Sequence, residues 1–124
     1  MRSRQINRIF AHLQTILEFW TNLSKMCTRQ QCIDRLTGAT PFIQSNFGVT
    51  SLSVFGSVAR GDNHENSDVD VLVEMPPKAF KMVELKEYLE SLLGVAVDLV
   101  RRHKNLSPFF LKEIEKDAIS IFAQ

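Results

Sequence analysis

From residue 5 onward apolar residues recur three and four apart. Ile6, Ile9, Phe10, Leu13, Ile16, Leu17, Trp20 and Leu23 form one stripe, the period of a helix. A second helical segment runs from about Arg29 to Asn46, where Gly38 and Pro41 interrupt the pattern and leave room for two shorter pieces; Gly48 offers a stop. The period then changes. Ser51–Phe55 is a short strand, a polar loop continues through Asn66, and Asp68–Glu74 alternates until Pro76 and Pro77 end it. Phe80–Leu93 returns to helical spacing, with Met82, Leu85, Leu89 and Leu92 in one line and Glu84, Glu87 and Glu90 mostly outside it; Gly94 closes that helix. Val95–Val100 is a third strand. Ser107 and Pro108 suit the N-cap and first position of a final helix. Ala118–Phe122 fits a last turn or a short strand, and the pattern does not choose.

From Gly48 the order is strand, strand, helix, strand, helix. That order predicts an α/β (α+β) domain, a small mixed β-sheet with helices packed on it. At 124 residues the chain has the size of one domain with its own core. With 44% hydrophobic and 23% charged residues it has an ordinary globular composition, and a formal net charge of +1 argues against direct nucleic-acid binding. The charge is uneven: residues 1–30 hold five basic side chains against Glu18 alone, a start that suits either an acidic partner or a solvated helix face. Cys27 and Cys32 are too few for a zinc site and are expected as free thiols in a reducing compartment. No apolar run approaches a membrane span and no signal peptide is evident, so a cytoplasmic protein away from membranes is expected.

The chemistry concentrates in Gly56–Met75. Asp68 and Asp70 lie two apart on a strand, hence on one face, about 6.5–7 Å apart at Cα. Alone they would repel, and one would tend to keep its proton. Two divalent cations about 3.5–4 Å apart, the arrangement of two-metal phosphoryl transfer, would reconcile them. Magnesium suits oxygen ligands completed by substrate phosphates. Alternation along the third strand sets Asp98 opposite Val97 and Leu99, on the face open to Asp68 and Asp70, where it can ligate a metal or accept a proton. Glu74 is a rival third acid. Gly56 and Ser57, at a strand-to-helix turn, suit the outer phosphates of a nucleotide, with Arg60 one helical turn away. Each feature is weak by itself. Ser57, ten intervening residues and Asp68, with strands on both sides and a third acid on the next, form a specific conjunction.

Those residues resemble a known family. V-F-G-S-V-A-R-G followed by S-D-V-D-V-L-V is similar to the signature of DNA polymerase beta-like nucleotidyltransferases: Gly-Ser, about ten residues, then Asp-hydrophobic-Asp-hydrophobic. V-D-L-V at 97–100 resembles the strand bearing that family's third carboxylate. Within the superfamily the chain resembles the minimal nucleotidyltransferases (MNT), which pair with HEPN-domain toxins as antitoxins. The resemblance runs from about Gln30 to Phe122, dividing the chain into a helical extension at 1–28 and a nucleotidyltransferase domain at 29–124. Met26, at the end of the first stripe, is then a candidate translation start.

The resemblance implies that Asp68, Asp70 and Asp98 hold two Mg²⁺ ions, that Asp98 helps deprotonate the acceptor, and that Gly56 and Ser57 bind the β- and γ-phosphates of ATP. It further implies transfer of AMP to a tyrosine hydroxyl of a HEPN toxin, which silences it. The alternative is a non-catalytic antitoxin that neutralises the toxin by occlusion. A small-molecule acceptor is a third reading, for which the sequence shows no acceptor pocket. His64 and the run Arg101-Arg102-His103-Lys104 are expected to be solvated, the latter with some capacity to attract phosphate or the partner.

Overall fold

A computed structural model describes residues 27–124; the N-terminal stripe and Met26 lie outside the described residues. The elements are α1 (Arg29–Phe47), β1 (Ser51–Phe55), α2 (Gly56–Arg60), β2 (Val69–Glu74), α3 (Ala79–Leu93), β3 (Val97–Arg101), α4 (Pro108–Asp117) and β4 (Ile119–Ala123). They build the expected mixed α/β architecture around one four-stranded sheet, ordered β3-β2-β1-β4.

α1 corrects the sequence expectation, for it is a single helix through Gly38 and Pro41. Its buried stripe explains the continuity: Cys32, Leu36, Ala39, Ile43 and Phe47 fall on one face, while Pro41 lies on the exposed side. A mid-helix proline costs about 3 kcal/mol. Burying Leu36 and Ile43, both fully enclosed, returns about 1.5–3 kcal/mol each. Thr28 caps the helix in a reciprocal box with Gln31. Gly48 and Gly94 end α1 and α3 in the left-handed conformation, as their positions after the apolar stripes predicted.

β1 runs antiparallel to both β2 and β4, whereas β2 and β3 are parallel and need the crossover that α3 supplies. Val69, Val71 and Val73 of β2 join Leu52 and Val54 of β1, the α1 stripe, and Leu85, Leu89 and Leu93 of α3 in one buried cluster. Leu93 completes the α3 line more fully than the expected Leu92, which is half-buried. Phe42 and Tyr88, with ring centroids 4.7 Å apart, pin α1 against α3. Ser107 accepts a hydrogen bond from Phe110 N and Pro108 opens α4, as the sequence indicated. The undecided last segment is a strand, held by pairing to β1. No described helix is long and apolar enough to cross a membrane.

Candidate active site

The sheet brings the three predicted acids together. Asp70 is the register partner of Asp98 across the parallel β2–β3 ladder and of Phe55 across the antiparallel β1–β2 ladder. Neighbouring strands lie about 4.8 Å apart, and partners in register present their side chains to the same side. Asp68 stands one residue before β2, with fully buried Val69 between it and Asp70. Asp68 and Asp98 are exposed; Asp70 is half-buried.

Gly56 follows the last residue of β1, so its backbone arrives beside Asp70. It has φ +74°, and a Cβ there would stand 3.1 Å from Asp70 Cγ and closer still to Oδ2. Glycine is required twice over: for the left-handed backbone and for the space the carboxylate occupies. Ser57 follows in the first turn of α2, half-buried. Asp62 N donates to Ser57 O at 3.0 Å, and His64 N donates to Ser67 Oγ at 2.9 Å, so the polar loop is folded by its own bonds. The loop is also tied to the residue before the α1 cap, where Asn63 Nδ2 donates to Cys27 O at 3.1 Å.

Electrostatics mark Asp70 as the strained member. Partial burial, then the carboxylates of Asp98 and Asp68, push its pKa above the usual carboxylate value, against a smaller opposing pull from Arg60. Arg60 itself is engaged elsewhere: its Nε meets Asp62 and its Nη1 meets Asp117, each at 3.1 Å. Asp117 has no role visible from sequence, since it lies 57 residues away from Arg60 and only the packing of α4 brings it close. Glu74, the rival third acid, sits at the other end of β2 and pairs with Arg102 at 3.4 Å. The basic run is similarly occupied, with Arg101 Nη1 donating to Met75 O and Arg102 also reaching Glu115 at 3.8 Å.

Among the described residues no three carboxylate, thiol or imidazole groups cluster tightly enough to hold a cation alone. The donor set nevertheless fits magnesium. All three acids offer hard oxygen, the central one is destabilised as an anion by burial and then by its acidic neighbours, and magnesium is commonly bound by one or two carboxylates together with substrate phosphates.

Comparison with known proteins identifies the family. The nucleotidyltransferase domain family matches residues 38–121, which include Gly56, Ser57 and all three acids. The chain belongs to that family. As a nucleotidyltransferase it is 38% identical over 98 residues to a Methanocaldococcus jannaschii chain provisionally assigned as a protein adenylyltransferase, covering 77% of this chain and 100% of the relative. The protein adenylyltransferase MntA of Thermococcus cleftensis is 44% identical over 79 residues, or 62% of this chain and 80% of the relative. A solved structure provisionally assigned as a minimal nucleotidyltransferase superposes with TM-score 0.64 at 35% identity, covering 77% of this chain and 97% of the other. The fold is shared with the complex of a tri-AMPylated Shewanella oneidensis HEPN toxin and its MNT antitoxin. There the TM-score is 0.55 at 18% identity, over 78% of this chain and 74% of the other.

Proposed function

We propose that this nucleotidyltransferase transfers AMP from ATP to a tyrosine hydroxyl of a HEPN-type partner and so acts as an antitoxin. The observation that carries the reading is the register pairing of Asp70 with Asp98, with Gly56 packed against the Asp70 carboxylate. The relatives named as protein adenylyltransferases and the AMPylated toxin complex support the choice of donor and acceptor.

In this reading Asp68, Asp70 and Asp98 would hold two magnesium ions, which would supply charge neutralisation for the attacking and departing oxygens. The backbone at Gly56 and the Ser57 hydroxyl donate to the β- and γ-phosphates; Arg60, near enough to act on the charge of Asp70 but paired with Asp62 and Asp117, joins them only by leaving those partners. Asp98, exposed on β3 beside Asp70, accepts the proton of the incoming hydroxyl. The hydroxyl attacks the α-phosphate in line and pyrophosphate leaves. An acceptor carried by another protein suits the exposure of Asp68 and Asp98. The groove of about 740 Å³ lined by Thr50, Met75, Pro76, Leu106 and Leu111 lies at the opposite end of the sheet, where it cannot present a small acceptor to these acids.

The deciding experiment is the intact mass of a HEPN-type partner incubated with this chain, ATP and Mg²⁺, with Asp70→Asn as control. Addition of one or more AMP units, lost in the control, is expected. A tight complex without any mass gain would overturn transfer in favour of occlusion.

A further inference from the structure

Cys27 and Cys32 are free, buried and unused by the chemistry above. Their place is defined by the cap of α1: Thr28 Oγ1 accepts from Gln31 N at 3.2 Å, and Gln31 Oε1 accepts from Thr28 N at 3.1 Å. Counting from that cap, Cys27 precedes it and Cys32 is the fourth helical residue. These are the two positions whose side chains pack on each other to fix the angle at which a chain enters a helix. Here both are thiols, 3% and 0% exposed. The neighbouring Cys32 thiol lowers the Cys27 pKa, while Cys27 and burial push that of Cys32 up. Cys27 also holds the loop before Asp68, because its carbonyl accepts from Asn63.

The geometry points to a redox modification site: Cys27 and Cys32 close a reversible intramolecular disulfide, and through Asn63 the oxidised form stiffens the loop between α2 and Asp68. The oxidant is a small peroxide. The Cys27 thiolate attacks one peroxide oxygen, the O–O bond breaks, and a sulfenic acid forms as hydroxide takes up a proton to leave as water. The Cys32 sulfur then attacks that of Cys27, the S–O bond breaks, and the expelled hydroxide takes the Cys32 proton as a second water. Two thiols have lost two electrons and two protons, and hydrogen peroxide has been reduced to two waters. Access comes by fraying of the first turn of α1, since helix ends open at lower cost than the core. Two cysteines serving only as apolar filling would not react this way.

The test uses the full chain, folded, with hydrogen peroxide as the probe. Oxidation is expected to lower the intact mass by about 2 Da, to remove both titratable thiols, and to be reversed by dithiothreitol, with peptide mapping joining residue 27 to residue 32. Thiols that stay free, mass gains from sulfinic or sulfonic acid, or disulfide-linked dimers would each overturn the site. Hydrogen exchange at residues 61–67 should slow at least about threefold on oxidation; unchanged exchange would overturn the link to the loop. In Asn63→Ala the disulfide should still form while the slowing disappears. Cys27→Ser should lose the mass change altogether.

Discussion

At the end of the sheet where β1 finishes, Asp68, Asp70 and Asp98 face one another, and no basic side chain among the described residues forms an ion pair with them. At the end where β1 begins, Glu74 meets Arg102, and Arg102 also reaches Glu115. Both ends carry carboxylates on the same strand, β2, four residues apart. The protein itself balances the charge at one end. At the other it places acid beside acid, partly buries the central one, and brings in a glycine too close for any side chain to intervene. Exposed ion pairs contribute about 0–1 kcal/mol, so the Glu74 end is ordinary surface structure. Under the proposed function, the Asp70 end is completed by charge that arrives from outside. A groove of about 740 Å³ also lies at the balanced end.

The comparison breaks most sharply at Asp70. Asp70→Asn should lower AMP transfer by at least about 10³-fold, since metal-held charge supplies several kcal/mol to such a step. The same substitution should raise the thermal midpoint of the cation-free protein, because it removes the repelled anion. An activity loss accompanied by destabilisation would show that Asp70 is structural. Gly56→Ala comes next. Forced into the left-handed region and against Asp70, it should cost about 1–3 kcal/mol in urea unfolding and about 10²-fold in transfer, the penalty of a small misplacement of reacting groups.

A pH series sharpens the contrast further. The Asp70 pKa is raised above its ordinary 3.8, so between that value and the raised one the native state holds more protons than the unfolded chain. Stability should therefore fall as pH rises through this window. Urea midpoints should show the decline without divalent cation, a smaller decline with Mg²⁺, and none attributable to this site in Asp70→Asn. The smallest effect belongs to the balanced end. Arg102→Ala should cost no more than about 1 kcal/mol and leave transfer within about twofold of the parent, as measured by initial rates. A larger loss of rate would bring that end into the reaction.

Particular residues show what could be read before the fold was known. The pairing of Asp68 with Asp70 followed from the two-residue period of a strand, and the Gly56-Ser57 turn from residue types suited to a phosphate nest. Asp98 was placed on their face by alternation alone, and the ladder then made it the direct partner of Asp70. Glu74 has the parity of Asp70 and lies close in sequence, yet its distance along β2 separates it from the site by about 13 Å. Arg60 was selected by its nearness to Ser57, while its partnership with Asp117 depends on α4 docking and leaves no local trace.

Local rules thus determined the elements, their caps and the identity of the acids, because strand alternation, helix period and glycine stops act over a few residues. Tertiary structure decided what those rules leave open. Burial carried α1 through Pro41, pairing with β1 made the last segment a strand, and β-ladder register set Asp70 between Phe55 and Asp98. Each of these depends on contacts between segments distant in sequence, whose energy exists only once the sheet and its helices are assembled.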